Sequence, residues 1–112
     1  MSNAKLAKFW DKQAESYAKS PIRNEELYNK KLKTTQGYFT PEMDILEFGC
    51  GTGTTAIHHA SHVNHILATD VSANMLEIAR GKAEAAGLTN LSFKQATLDD
   101  LDEAEKRFDL IM

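Results

Sequence analysis

The spacing of hydrophobic residues along the chain changes near Pro41. Before it, apolar side chains recur every three or four positions, which is typical of amphipathic helices. This spacing predicts one helix over Lys5–Lys19 and a second that Asn24 caps and that runs to about Tyr38. The predicted inward positions are Leu6, Phe9, Trp10, Ala14, Tyr17, Leu27 and Leu32.

After Pro41, short apolar runs alternate with helical segments. We predict strands over Met43–Phe48, His65–Asp70 and Leu91–Gln95, and the start of a fourth over Phe108–Met112, with helices over Thr54–His62 and Ser72–Ala86 between them. Strands that alternate with helices form βαβ units around a parallel sheet. The predicted fold class is therefore α/β, a parallel sheet with flanking helices, preceded by two N-terminal helices.

This pattern divides the chain into two parts. Residues 5–40 are predicted to form a helical appendage, and residues 41–112 the N-terminal half of an α/β domain. A final strand at Phe108–Met112 would lie at a bare edge of the sheet, so we expect the sheet to be incomplete within these residues. Such an edge could pair with another copy of the chain, which predicts a homo-oligomer.

Composition narrows the classes of function and location. The 112 residues suit one small domain, and 42% hydrophobic with 26% charged residues is typical of a globular protein. The net charge of −3 gives no general affinity for nucleic acid phosphates, and no apolar run is long enough to span a membrane. Cys50 is the single cysteine, which excludes a disulfide framework and favours a reducing, cytoplasmic setting.

The most informative chemistry lies in the segment Ile45–Thr54. An apolar strand leads into glycines at three alternate positions (Gly49, Gly51 and Gly53), and a helix follows. Glycine allows a tight turn and a close approach of the backbone to a ligand. Asp70 follows the loop by about 20 residues, where a Rossmann-like fold places its ribose-binding acid. The segment therefore predicts a site for a nucleotide-like cofactor.

The sign of one charge favours one cofactor over another. Glu47 precedes the first glycine, and a negative charge there would repel the pyrophosphate of a dinucleotide. The same charge would attract the ammonium group of S-adenosylmethionine, which carries no phosphate. The alternative of an NAD(P)-dependent oxidoreductase explains the glycines and Asp70, but it does not explain Glu47.

These residues resemble a known family. Glu47-x-Gly49-x-Gly51-x-Gly53, followed by Asp70-Val-Ser-x-x-Met75, is similar to motif I and the following acid of class I S-adenosylmethionine-dependent methyltransferases. The segment Phe93–Leu101 resembles the family's adenine-binding turn, although the Asp that is usual there is replaced by Thr97. The opening Phe9-Trp-Asp-x-x-Ala-x-x-Tyr17 resembles the lid helix of the family's small-molecule branch.

The resemblance implies a role for each matching residue. Glu47 would orient the cofactor's amino group, Asp70 would hold its ribose, and Tyr17 would line the pocket. Gly49 and Gly51 would lie against the methionine part. Val71 and Met75 would flank the adenine, and Thr97 and the Leu98 amide would meet its polar edge. The implied cofactor-binding residues are Glu47, Gly49, Gly51, Gly53, Asp70, Val71, Met75, Thr97, Leu98 and Tyr17.

The implied reaction is methyl transfer from S-adenosylmethionine to a small-molecule acceptor. A general base would come from segments beyond the fourth strand, so no catalytic residue is assigned. The 112 residues by themselves are predicted to be inactive, and a non-catalytic, truncated cofactor-binding module is a further alternative. His58 and His62 share a helical face, but no completing ligand stands nearby, so we predict a solvated helix face and no metal site.

Overall fold

A computed structural model of the protein describes residues 3–19, 24–97 and 107–112. The helices and strands follow one another in the predicted order. A 3₁₀ turn at Ala60–His62 continues α3. The elements are α1 (Asn3–Lys19), α2 (Glu25–Gln36), β1 (Asp44–Phe48), α3 (Thr54–His59), β2 (His65–Asp70), α4 (Ala73–Ala85), β3 (Leu91–Gln95) and β4 (Leu110–Ile111).

The sheet has the strand order β3-β2-β1-β4, and every pair of neighbours is parallel. The predicted α/β class with a parallel sheet is confirmed. The chain adds β2 and β3 on one side of β1 and then crosses to place β4 on the other side. A crevice outside the carboxyl ends of the strands at such a switch point is the usual place for a ligand in these folds.

The core lies between the sheet and the helices that connect its strands. Ile45 pairs in register with Ile66, and both side chains are fully buried beside Leu76 of α4. Branched apolar residues suit a strand that is covered, which is why these short runs read as continuous hydrophobic segments. The buried cluster comprises Ile45, Cys50, Ala56, Ala60, Val63, Ile66, Ala68 and Leu76.

The predicted helix caps are present. The Asn24 side chain accepts a hydrogen bond from the Leu27 amide at 3.0 Å, and Ser72 Oγ accepts one from the Met75 amide at 3.1 Å. Each bond satisfies a backbone donor that a helix start leaves without a partner. Gly87 follows α4 with a φ of 71°, as expected of a residue just beyond a helix end.

Two elements, α2 and β4, are shorter in the structure than the sequence predicted. α2 ends at Gln36, because the amides of Tyr38 and Phe39 bond only three residues back, to Thr35 O and Gln36 O, as in a tight turn. β4 covers Leu110–Ile111 only, although the bond from Phe48 N to Met112 O extends its pairing with β1. The acidic segment 99–106 lies outside the described residues.

The two N-terminal helices pack on the α/β part of the chain. Only some of the side chains that the spacing predicted to face inward are buried in this contact. α1 packs against α4, and α2 packs against α3, where Tyr28 Oη and Thr55 Oγ1 lie 2.8 Å apart. Phe9 and Leu27 were predicted to be inward and are instead 47% exposed, whereas the predicted positions Ala14 of α1 and Leu32 of α2 are buried. The division of the chain into residues 5–40 and 41–112 stays a prediction.

In the described ranges, no helix is long and apolar enough to cross a bilayer.

Gly53 allows α4 to lie directly against the glycine loop. A Cβ built on Gly53 would stand 2.9 Å from the Cβ of Ala79, closer than real Cβ atoms approach, and its φ is +81°. From the same helix, the Lys82 ammonium donates to Thr54 Oγ1 at 2.7 Å. The third glycine of the loop therefore serves the contact between helix and loop.

We expect Gly53→Ala to lower the free energy of unfolding by about 2–4 kcal/mol, because it combines an unfavourable backbone conformation with overpacking. Gly81→Ala is the matched control, since a Cβ on Gly81 would meet nothing within 4 Å in the middle of α4. That variant should raise stability by about 0.5–1 kcal/mol. Urea unfolding measures both, and equal effects of the two substitutions would contradict the packing argument.

Candidate functional site

The loop between β1 and α3 turns back sharply at the carboxyl edge of the sheet. Gly49 and Gly51 have φ values of 70° and 56°, in the left-handed region that favours glycine. The Cys50 amide donates to Thr69 O of β2 at 2.9 Å, which fixes the loop to the neighbouring strand. A Cβ at Gly49 would meet nothing within 4 Å, so this side of the loop is open to a ligand.

Asp70, the last residue of β2, binds the backbone of the glycine loop through its carboxylate. Its Oδ2 accepts a hydrogen bond from the Gly51 amide at 2.9 Å, and its Oδ1 accepts one from the Ser72 amide at 3.0 Å. Each carboxylate oxygen can accept a second hydrogen bond, so vicinal hydroxyl groups of a ribose could still be bound. Asp70 therefore supports the turn into α4 and keeps the capacity that its predicted role requires.

Glu47 lies beneath the same loop and lacks a partner for one of its oxygens. Only 7% of the residue is exposed, and Oε2 has no hydrogen bond within the described part of the protein. Burial, and then the nearby negative charge of Asp70, raise the pKa of the Glu47 carboxyl to about 7. A buried oxygen of this kind fits a cationic hydrogen-bond donor, which would restore ionisation.

A cavity of about 470 Å³ opens beside the loop, within the usual size range of small-molecule sites. The loop and the end of β2 form its floor, and α1 contributes one wall. Its lining residues are Leu6, Trp10, Phe48, Gly49, Gly51, Asp70, Val71, Met75, Ala96 and Thr97.

The cavity brings together most of the residues that the sequence assigned to a cofactor. Exceptions are Glu47, which is buried beneath the loop, and Gly53, which packs against α4. Leu98 and the side chain of Tyr17 lie outside the described part of the chain. The predicted residues that line the cavity are Gly49, Gly51, Asp70, Val71, Met75 and Thr97.

The sequence missed several wall residues. Trp10 was interpreted as a helix-core residue, and Leu6 and Phe48 were given no role in binding, yet all three line the cavity. The four-residue step from Leu6 to Trp10, continued by buried Ala14, was the available signal for a shared face. Which residues this face contacts depends on how α1 packs in the tertiary structure, which the spacing within one helix does not determine.

His58 and His62 are exposed, as the predicted solvated helix face requires, whereas His59 between them is buried. His59 is 1% exposed, its Nδ1 lies 3.2 Å from Gln36 Nε2, and its ring packs on Phe39. Burial lowers the pKa of His59, and His62 and His58 lower it further. This histidine therefore helps to attach α2 to α3. Among the described residues, no group of three acidic, cysteine or histidine side chains could hold a metal ion.

Cys50 is a packing residue of the loop. Burial, and then the charges of Glu47 and Asp70, raise the pKa of its thiol to about 12. The thiolate is the nucleophilic form of cysteine, and these surroundings disfavour it. The reactive chemistry of the cavity therefore does not come from this thiol.

Comparisons with known proteins agree with this geometry. A family described as "Methyltransferase domain" matches residues 45–112. The uncharacterized methyltransferase YcgJ of Bacillus subtilis is 31% identical over 70 residues, which are 62% of this chain and 28% of that protein. A 2-heptyl-1-hydroxyquinolin-4(1H)-one methyltransferase of Mycobacteroides abscessus is 30% identical over 62% of this chain and 30% of its own length.

A third relative, the tRNA/tmRNA (uracil-C(5))-methyltransferase of Campylobacter lari, is 34% identical over 57% of this chain and 18% of its length. The chain thus spans less than a third of the length of these relatives.

Two solved structures share the fold. YcgJ superposes with a TM-score of 0.68 and 27% identity, over 74% of this chain and 36% of its own. The DhpI–SAH complex superposes with a TM-score of 0.70 and 24% identity, over 88% of this chain and 46% of that one, which shows the fold alone. Because the family match covers more than half of the residues, the chain belongs to the class I S-adenosylmethionine-dependent methyltransferases.

Proposed function

We propose that the protein is a methyltransferase that binds S-adenosylmethionine in the cavity beside the glycine loop and methylates a small molecule. The observation that carries this proposal is the pair of acids under the loop. Asp70 lines the cavity and can accept further hydrogen bonds, and Glu47, buried behind the cavity floor, keeps an oxygen that has no partner among the described residues and whose charge would attract a cationic group. Few ligands other than an amino acid joined to a nucleoside would satisfy both.

The chain's own residues bind and orient the cofactor in this proposal. Asp70 accepts hydrogen bonds from the ribose hydroxyls, Glu47 attracts the ammonium group, and the open side of Gly49 admits the methionine part. Val71 and Met75 offer an apolar surface to the adenine, and Thr97 also lines the cavity. When bound, the cofactor supplies an activated methyl group, and the protein supplies position and electrostatics.

Charge supports a small-molecule acceptor. The chain carries a net charge of −3, whereas enzymes that bind RNA present clustered positive charge to the phosphates. One relative is named for a quinolinone acceptor and another for tRNA, and the charge favours the first kind.

The nicotinamide alternative is disfavoured by Glu47. An oxidoreductase would place a pyrophosphate at the loop, next to the carboxyl group of Glu47. Burial and the charge of Asp70 already raise the pKa of this group. A phosphate would add a further negative charge at this place. S-adenosylmethionine adds a positive one instead.

Asp70→Asn should weaken binding of S-adenosylhomocysteine by about 1.5–3 kcal/mol, since hydrogen bonds to a charged group are the strong ones. Asparagine keeps one oxygen for either the Gly51 amide or the Ser72 amide, so the fold is less perturbed than with alanine. Glu84→Gln is the matched control, an acid-to-amide change on the exposed side of α4. Isothermal calorimetry measures both affinities, and an unchanged affinity in folded Asp70→Asn would refute the ribose assignment.

Binding should depend on pH through Glu47. The pKa of Glu47 is about 7 in the free protein, so below that pH the carboxyl must lose its proton to pair with the ligand's ammonium group. Affinity for S-adenosylhomocysteine should therefore rise by about fifteenfold from pH 5.5 to pH 7, about half of the limit that release of one proton sets over this range. Calorimetry in buffers of different ionisation enthalpy should detect release of that proton.

Glu47→Gln should abolish this pH dependence, because the amide does not titrate. The variant should also be more stable to urea than the parent at pH 8. The folded-state pKa is raised, so the parent loses stability as pH rises from the unfolded-state value of about 4.5 through about 7. A variant that binds with the same pH profile as the parent would refute the ammonium assignment.

The acceptor class can be tested with the full-length protein and cofactor labelled at the methyl group. We expect label to enter the small-molecule fraction of a cell extract and to persist after treatment with ribonuclease. Label that appears in tRNA and disappears with ribonuclease would support the tRNA alternative and overturn the small-molecule proposal.

A further inference from the structure

One acidic side chain of α1 contacts the start of α4. Asp11 Oδ1 accepts a hydrogen bond from Ser72 Oγ at 2.5 Å and another from the Asn74 amide at 3.2 Å. The Asn74 side chain returns a bond to the Asp11 carbonyl oxygen at 3.3 Å. These bonds join residues about sixty positions apart in sequence, so they are tertiary contacts that fix α1 in place.

The chemistry of α4 explains why an acid fits there. The first turn of α4 contains no acidic residue of its own, although negative charge is favourable at a helix N-terminus. Asp11 supplies that charge from another helix. Ser72 Oγ donates to Asp11 while it accepts the capping bond from the Met75 amide, so both its donor and its acceptor are used.

The same turn carries the acid assigned to the ribose. The Ser72 amide donates to Asp70 Oδ1, while the Ser72 hydroxyl donates to Asp11. Asp70 in turn holds the Gly51 amide of the glycine loop. One residue, Ser72, therefore connects the attachment of α1 to the carboxylate at the cavity floor.

Asp11 is also adjacent to the cavity wall. Trp10, its neighbour in sequence, and Leu6, one turn earlier, line the cavity from α1. If α1 left α4, this wall would leave the cavity with it. The residue that attaches α1 to α4 and the residues that line the cavity thus belong to one helix.

We propose that Asp11 is a positioning residue for the cofactor, which holds the Leu6–Trp10 wall of α1 over the cavity through Ser72 and Asn74. This proposal rests on the proposed function, because it assumes that the cavity binds the cofactor. A ligand that needs the wall binds only those molecules in which the wall is in place. Its apparent affinity therefore falls in proportion to the fraction of such molecules. Loss of Asp11 therefore weakens binding without removing any atom that touches the ligand.

The test compares three variants of the full chain. Asp11→Ala removes the acceptor, Asp11→Asn keeps an oxygen but loses the charge, and Glu15→Ala is the control on the exposed side of the same helix. Both alanine variants lose one negative charge and gain helix propensity, so α1 itself is not weakened in either. Calorimetry with S-adenosylhomocysteine gives the affinity, and hydrogen exchange of α1 peptides reports attachment.

We expect Asp11→Ala to raise the Kd for S-adenosylhomocysteine about tenfold, because losing both hydrogen bonds to Asp11 Oδ1 would leave the wall in place in about one molecule in ten. Asp11→Asn should lie between Asp11→Ala and the parent, and Glu15→Ala should match the parent. Without ligand, α1 peptides should exchange faster in Asp11→Ala, while peptides from β1 to β3 stay as protected as in the parent. Ligand should slow the exchange of α1 in the parent.

The outcomes separate the two proposals. If the parent chain binds no S-adenosylhomocysteine, the proposed function fails. If the parent binds and Asp11→Ala binds equally well, the positioning role fails while the function stands. Exchange of α1 that is unchanged in Asp11→Ala overturns the attachment by itself, and faster exchange throughout the sheet would make Asp11 a general stability residue instead.

Discussion

The two backbone hydrogen bonds accepted by Asp70 join the parts of this molecule. One carboxylate at the end of β2 binds the amide of Gly51 in the glycine loop and the amide of Ser72 at the start of α4. The loop after β1 and the helix after β2 are thereby held at one edge of the sheet. Parallel pairing of β1 with β2 places both segments there, and the carboxylate fixes their distance.

The same arrangement brings two acids close together under the loop. Glu47 is buried, one of its oxygens has no partner in the described structure, and the charge of Asp70 contributes to a pKa near 7. A buried carboxylate without a partner lowers the stability of a fold. A ligand that carries a positive charge would remove that cost, so the destabilising feature and the binding chemistry are the same group.

Of the two helices before the sheet, α1 completes the cavity. α1 lies on α4 and lines the cavity with Leu6 and Trp10, whereas α2 lies on α3 through Tyr28 and through the contact of Gln36 with His59. Each of these helices contacts a helix that begins at the carboxyl edge of the sheet. The packing of α1 on α4 therefore sets the shape of the site, whereas the packing of α2 on α3 attaches the N-terminal segment away from the cavity.

Local chemistry was readable from the sequence by itself. Apolar spacing indicated the strands and helices, Asn24 and Ser72 marked helix starts, and the glycines with Glu47 and Asp70 indicated the kind of cofactor, because each feature acts within one element or one turn. Only the tertiary structure decided that Phe9 is exposed while Trp10 lines the cavity, that His59 is buried, and that Gly53 serves packing against Ala79. These outcomes depend on which face of one helix meets another, and residues distant in sequence set that contact.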